Sequence, residues 1–279
     1  MKIAVLGAGS WGTALGEVLS KNGHDVLLWH LEQDFVDKIN QTHIHPFLPD
    51  IDLNKTLQFT ASLDDIYDYG GILISAVPSQ VVRPVLRRFP RGWRKLMVSV
   101  SKGIENETGM RMSEVISDTL NLDTEDIVIL SGPSHAEEVS REFPTTVVAA
   151  CTDIDHAREV QKIFSNEYFR VYSGSDVVGV EIGGSAKNVI ALAAGICYGL
   201  GYGDNTMAAL VTRGLEEIIR LGTTLGAQRA TFSGLSGMGD LVVTAFSAHS
   251  RNRHVGERIG KGETLIDILD SMEMVAEGV

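Results

Sequence analysis

The sequence predicts an α/β chain in which a doubly wound parallel sheet is followed by an all-helical C-terminal domain. Three observations predict it. The first half alternates short Val/Ile/Leu-rich runs with amphipathic segments. A glycine turn, Gly7-Ala8-Gly9-Ser10-Trp11-Gly12, joins the first run to the first helix. Past Asp176 the alternation gives way to helical patterning alone.

Strands are expected over Lys2–Leu6, Asp25–Trp29, Gly71–Ala76, Lys95–Ser99, Ile127–Leu130 and Thr145–Ala150. Each is a near-continuous apolar run, as a strand covered on both faces requires. Helices are expected between them, over Trp11–Lys21, Val81–Phe89, Met110–Leu120 and Asp155–Phe164. Strand and helix in alternation build a parallel sheet through right-handed crossovers. Two longer helical stretches follow, Lys187–Gly199 and Asn205–Leu225. The expected division is a dinucleotide-binding domain over residues 1–177 and a helical substrate domain over 178–279, whose C-terminal end is expected to be incomplete.

The 279 residues are 44% hydrophobic and 22% charged, ordinary globular values. The net charge of −12 argues against a broad nucleic-acid surface, which needs many basic groups against phosphates. It still permits a small anionic substrate held by a few local cations. Cys151 and Cys197 lie in apolar stretches without a CxxC partner, which points to a reducing compartment and no disulfide framework. The apolar N-terminus breaks early into glycines, unlike a signal peptide. The longest apolar stretch, Ile190 to Leu200, is too short and glycine-rich to span a bilayer. A soluble, cytoplasmic protein without membrane insertion is expected, and a homodimer is the prior for such a protein.

The glycine turn carries the first chemistry. Gly7 permits the tight turn, Gly9 lets a pyrophosphate approach the backbone, and Gly12 lets helix pack on strand. Ser10 and Trp11 open the helix, whose N-terminus offers N–H groups and a positive dipole end to phosphates. The preceding strand and following helix supply the required context. Together they predict a Rossmann-type fold that binds NAD or NADP. The second strand ends Trp29-His30-Leu31-Glu32. A carboxylate there would grip the ribose hydroxyls of NAD, and His30 is not one. A partly protonated His30 tolerates a 2′-phosphate, so use of both cofactors with NADPH preferred is expected.

Polar and small residues cluster where other strands end: Ser75-Ala76-Val77-Pro78-Ser79, Ser101-Lys102-Gly103 and Ser131-Gly132-Pro133-Ser134-His135-Ala136. In a doubly wound sheet the ligand lies beyond the carboxyl ends of the strands. The histidines, including His43, His45, His135, His249 and His254, form no metal pattern and are read as satisfied or exposed, with no metal required.

These segments, with GGSAKNVIALAAGICYGLGYGDN at 183–205 and SRNRHVG at 250–256, resemble the bacterial NAD(P)-dependent glycerol-3-phosphate dehydrogenases over essentially the whole chain. Tyr198 departs from the family's usual acidic residue, and the chain ends before the family's last helices. The resemblance implies interconversion of dihydroxyacetone phosphate and sn-glycerol 3-phosphate, the precursor for glycerophospholipid synthesis. It assigns proton transfer to Lys187, read as opening a helix, and contact with both cofactor and substrate to Lys102. Asp240 becomes the carboxylate partner in the substrate site; without the resemblance it reads as a helix N-cap. Ser250, Arg251 and Asn252 would recognise the phosphate, Arg251 with a planar donor fork. By the same resemblance Gly132 and Ser134 touch the substrate, and Ala136, Arg251, Val275 and Glu277 border the nucleotide. Two other readings remain open at this point: a β-hydroxyacid dehydrogenase of the same architecture, and a nucleotide-binding module without chemistry.

Overall fold

The computed structural model describes residues 1–272 and 276–279. The chain divides into two compact units, Met1–Leu130 with Ser134–Ser175, and Ser131–Pro133 with Asp176–Val279.

The first unit is built on an eight-stranded sheet. Its strands are β1 (Lys2–Leu6), β2 (Asp25–Trp29), β5 (Gln58–Thr60), β6 (Ile72–Ser75), β7 (Leu96–Ser99), β8 (Ile127–Ser131), β9 (Thr145–Ala150) and β10 (Phe169–Gly174), in the order 10-9-8-7-6-1-2-5. The ladders of β1 with β2 and β6, of β2 with β5, of β7 with β6 and β8, and of β9 with β10 are parallel. A separate antiparallel hairpin, β3 (Ile44–His45) and β4 (Leu48–Asp52), lies between β2 and β5 in the chain. The helices are α1 (Ser10–Lys21), α2 (Gln33–Thr42), α3 (Leu63–Asp68), α4 (Val82–Leu86), α5 (Met112–Leu120), α6 (Ala136–Val139) and α7 (Ile154–Phe164).

Register decides where this sheet binds. Leu6 lies opposite Trp29 on one side and Ser75 on the other, and Ser75 lies opposite Ser99. The strand ends therefore form one row. The chain runs from β1 outward to β2, then returns to place β6 on the other flank of β1. That reversal is the switch point at which such sheets open a crevice for a ligand. Ile3, Val5, Leu28, Ile74, Val98 and Val128 are fully or nearly fully buried along the centre. At about 25 cal/mol per Å² of apolar surface, this burial is the main term holding the layers together.

The sequence reading missed β5, β10 and the hairpin. β5 has only three residues, and β10 alternates buried Phe169 and Val171 with exposed Arg170 and Tyr172. Both are edge strands, which lack the continuous apolar run used to find the others.

The second unit is helical: α8 (Val177–Gly199), α9 (Asp204–Thr224), α10 (Asp240–Phe246), α11 (Arg251–Gly260) and α12 (Leu265–Asp270). The helix holding Lys187 begins ten residues earlier than the sequence implied, so Lys187 is interior and does not open it. Asp176 caps its start by accepting the Gly179 N–H at 3.0 Å. The Gly183-Gly184 pair looks like a helix break but marks a close approach. A Cβ on Gly183 would lie 2.4 Å from the Ser236 carbonyl oxygen. The same device lets α8 and α11 touch backbone to backbone: a Cβ on Gly195 would meet the Arg253 carbonyl oxygen at 2.0 Å, and one on Gly256 that of Leu192 at 2.0 Å. By length and composition α8 can cross a membrane, a possibility the shorter Ile190–Leu200 run did not raise. In this fold 56% of its most apolar window is buried.

Candidate active site

The glycine turn lies in the first unit. Gly7 adopts φ +115°, and a Cβ there would lie 2.8 Å from the backbone of Ala76. A Cβ on Gly12 would lie 1.9 Å from the Gly7 carbonyl oxygen, so the turn can close only with glycine. Gly9 differs: it is exposed, and its Cβ position has nothing within 4 Å. It is the N-cap of α1, with Ser10 and Trp11 half-buried in the first turn. The Gly7 and Ala8 N–H groups both donate to the Trp29 carbonyl, at 3.1 and 2.8 Å, tying the turn to β2. An open glycine at a helix N-terminus, beside a strand-order reversal, fits a dinucleotide pyrophosphate.

His30 follows β2 directly. Its backbone N–H donates to Thr60, its Nδ1 accepts the Glu32 N–H at 3.1 Å, and its ring stacks on Phe35 at 3.9 Å. Burial holds its pKa below the ordinary histidine value, against the pull of nearby Glu32. A neutral ring is therefore favoured at neutral pH, and the partial positive charge expected from the sequence is disfavoured. Next along the strand-end row, Ser101 Oγ donates to the Val77 carbonyl at 2.5 Å. A Cβ on Gly103 (φ +148°) would lie 2.5 Å from Ser79 Oγ. These contacts fix the turn that carries half-buried Lys102. Ser134 is half-buried just past β8, and buried Ala136 is the first residue of α6.

The polar centre of the second unit is Lys187, 6% exposed, beside Asp240 at 1% and Thr244 at 5%. Lys187 Nζ donates to Asp240 Oδ1 and, at 2.8 Å, to Thr244 Oγ1. The Thr244 hydroxyl gives its own proton to the Asp240 carbonyl at 2.6 Å, which leaves a lone pair for the lysine. Removing one member of such a buried ion pair costs about 3–5 kcal/mol, because the other charge is left unpaired. Asp240 is not the N-cap of α10, since Gly239 holds that place. It follows a π-helical turn over Leu235–Gly239. Such turns recur at functional sites because they re-aim one side chain. Pro133, beside buried Gly132 (φ +151°), lies 3.6 Å from the Cβ position of Gly239.

Ser250 caps α11, accepting the Arg253 N–H at 3.2 Å. Arg251, the first residue of that helix, is exposed. Buried Asn252 accepts the Gly278 N–H through Oδ1 at 2.9 Å, which leaves its Nδ2 as the donor end. That bond ties the chain end, with half-buried Glu277, to the SRN motif. Val275 lies outside the described residues. Thus Lys187 and Asp240 meet directly, and Asn252 meets the segment that carries Glu277. The sequence reading missed Thr244, although its four-residue spacing from Asp240 puts both on one helix face. It also passed over Phe35 and His45.

The family model for the N-terminus of NAD-dependent glycerol-3-phosphate dehydrogenase matches residues 2–157, and the model for its C-terminus matches residues 176–279. Glycerol-3-phosphate dehydrogenase [NAD(P)+] of Lysinibacillus sphaericus is 50% identical over 282 residues, spanning 100% of this chain and 83% of the relative. That of Bacillus subtilis is also 50% identical over 282 residues, spanning 100% and 82%. The crystal structure of glycerol-3-phosphate dehydrogenase from Coxiella burnetii superposes with a TM-score of 0.93 at 34% identity, covering 99% of this chain and 85% of that one. With both of its halves matched and half of its residues shared with full-length relatives, the chain belongs to the NAD-dependent glycerol-3-phosphate dehydrogenase family.

Proposed function

We propose that this chain reduces dihydroxyacetone phosphate to sn-glycerol 3-phosphate, and runs the reverse reaction, with NADPH preferred over NADH because a neutral His30, unlike a carboxylate, does not repel a 2′-phosphate. The observation that carries the proposal is the buried Lys187–Asp240–Thr244 centre, in a chain that also holds an open glycine turn at the switch point of a parallel sheet. Residues 1–177 serve as the dinucleotide domain and 178–279 as the substrate domain. The product is a precursor for glycerophospholipids, made in the cytoplasm. The chain works as a homodimer, a reading supported by exposed apolar Val189, Tyr198, Leu200 and Tyr202 and by the commonness of two-fold assemblies.

A bound nicotinamide dinucleotide supplies the hydride. The first-turn N–H groups of α1, with Gly9, Ser10 and Trp11, would hold its pyrophosphate, and the His30–Phe35 stack would border its adenosine. Ala136, Glu277 and Arg251 would complete the nucleotide contacts. Lys187 gives its proton to the ketone oxygen and takes it back in the reverse direction, while Asp240 and Thr244 keep Nζ in place. Lys102 stabilises the negative charge that develops on that oxygen. Arg251, the Ser250 hydroxyl and Asn252 Nδ2 bind the phosphate at the N-terminus of α11, where the helix dipole favours an anion. Gly132 and Ser134 line the substrate.

The test is a side-by-side measurement of NADPH oxidation with dihydroxyacetone phosphate and with the keto form of a small 3-hydroxy acid. Turnover confined to the phosphorylated ketone supports the proposal. Faster turnover of the keto acid would move the chain to the hydroxyacid dehydrogenases. Tight NADPH binding without turnover of either would make it a nucleotide-binding module.

A further inference from the structure

His45 closes β3 with no exposed surface, and both of its ring nitrogens are engaged. Nε2 lies 3.0 Å from the carbonyl oxygen of Ala8, in the middle of the glycine turn. Nδ1 lies 3.1 Å from the backbone nitrogen of Phe47. A carbonyl only accepts and a backbone N–H only donates, so the ring is neutral with its proton on Nε2. Burial pushes in the same direction, holding the imidazole below its ordinary pKa. The ring edge also packs on Phe35, at 5.5 Å and 77°.

The grip on Ala8 has a consequence at Gly9. The Ala8–Gly9 peptide is trans and planar, so the Ala8 C=O and the Gly9 N–H point in opposite directions. The Ala8 N–H is already committed to the Trp29 carbonyl at 2.8 Å. With the carbonyl held by His45, the whole peptide unit is clamped, and the Gly9 N–H is aimed before any ligand arrives. Gly9 is the residue whose side-chain position is open and which caps α1. Without the clamp the peptide can rotate and present its carbonyl oxygen to the ligand. Donors fixed in advance bind an anion more tightly than donors that must be ordered on binding.

We propose that His45 is a positioning residue for the dinucleotide: by donating from Nε2 to the Ala8 carbonyl, it fixes the Gly9 peptide in the orientation that receives the pyrophosphate. The inference rests on the reading of this turn as the nicotinamide-dinucleotide site.

Two amides separate the two bonds of the imidazole. The Nε2 of glutamine reaches the place of the histidine Nε2, and the Oδ1 of asparagine takes the place of Nδ1. His45→Gln therefore keeps the bond to Ala8, and His45→Asn keeps the bond to Phe47. Dissociation constants for NADPH and NADH, by fluorescence titration of the full chain, are measured with the thermal midpoint of each variant. His45→Asn is expected to weaken both dinucleotides roughly tenfold, the scale of one lost hydrogen bond. His45→Gln is expected to stay within about threefold of wild type, by the same reasoning. A merely structural histidine would lower both midpoints without separating the two variants in binding. Equal binding loss in both variants, no loss in either, or failure of His45→Gln to fold would each overturn the inference. If His45→Asn does not fold, His45→Gln still decides, since a tenfold loss there contradicts the clamp. Wild-type protein that binds neither dinucleotide would overturn the underlying reading of the turn instead.

Discussion

Replacing Lys187 with methionine removes the proposed proton donor while keeping most of its volume. The lysine is 6% exposed, and its ammonium is held by the Asp240 carboxylate and the Thr244 hydroxyl. Loss of a positioned general acid typically costs about 100- to 10,000-fold in rate. That corresponds to about 2.7–5.4 kcal/mol of barrier. The variant also takes the ammonium away from the Asp240 carboxylate, which is 1% exposed, with an expected stability loss of about 3–5 kcal/mol. The two effects are separable. The double variant Lys187→Met, Asp240→Asn also removes the carboxylate charge and should recover much of the stability, yet none of the turnover. Initial rates of NADPH oxidation at saturating dihydroxyacetone phosphate give the first quantity, and denaturant unfolding of wild type and both variants gives the second. NADPH affinity should stay near wild type throughout. Turnover within tenfold of wild type in Lys187→Met would refute the proton-transfer role. A double variant no more stable than Lys187→Met would refute the ion pair as the source of the stability cost.

Arg251→Ala should lower kcat/KM for dihydroxyacetone phosphate by about 1.5–3 kcal/mol, the worth of a hydrogen bond to a charged group, and cost unphosphorylated dihydroxyacetone less, since there only the nucleotide contact is lost; equal losses on both substrates would take Arg251 off the phosphate. His30→Asp should turn a preference for NADPH into one for NADH, since a carboxylate repels a 2′-phosphate and grips two ribose hydroxyls; kcat/KM for both cofactors decides it, and a wild type that strongly prefers NADH would overturn the role given to His30. Burial holds His45 and His30 below the ordinary histidine value of 6.5, so the unfolded chain binds more protons than the native one as the pH drops below about 6.5. Stability should therefore fall from there through the folded pKa values, and His45→Gln should flatten the fall; chemical unfolding across this range checks it, and an identical slope in the variant would refute it.

The interior strands, the glycine turn and its helix were legible because each carries its own local signal. β1, β2 and β9 begin and end where the apolar runs do. What escaped was set by tertiary contact. Gly183-Gly184 reads as a helix break in one dimension, and only the Ser236 backbone lying against it shows why the helix continues. Lys187 accordingly lies inside α8 and does not open a helix. Asp240 reads as a cap, but the π-helical turn before it hands the cap to Gly239 and frees the carboxylate for the lysine. His45 stood among histidines without a metal pattern, and its bond to Ala8 spans 37 residues, beyond the reach of any spacing rule. The charge of His30 could not be read from its position, because it depends on burial and on the Glu32 amide.

The central claim is that this chain moves a hydride to the ketone carbon of a phosphorylated triose while Lys187 supplies the proton. The most direct measurement is a single incubation with dihydroxyacetone phosphate and NADPH deuterated on the transferring face of its nicotinamide carbon, followed by mass spectrometry of the product. The expected product is sn-glycerol 3-phosphate with one deuterium per molecule on its carbinol carbon, and none above background over the same interval with Lys187→Met. Dinucleotide consumed without labelled glycerol phosphate, or label transferred as fast by the variant as by wild type, would contradict it.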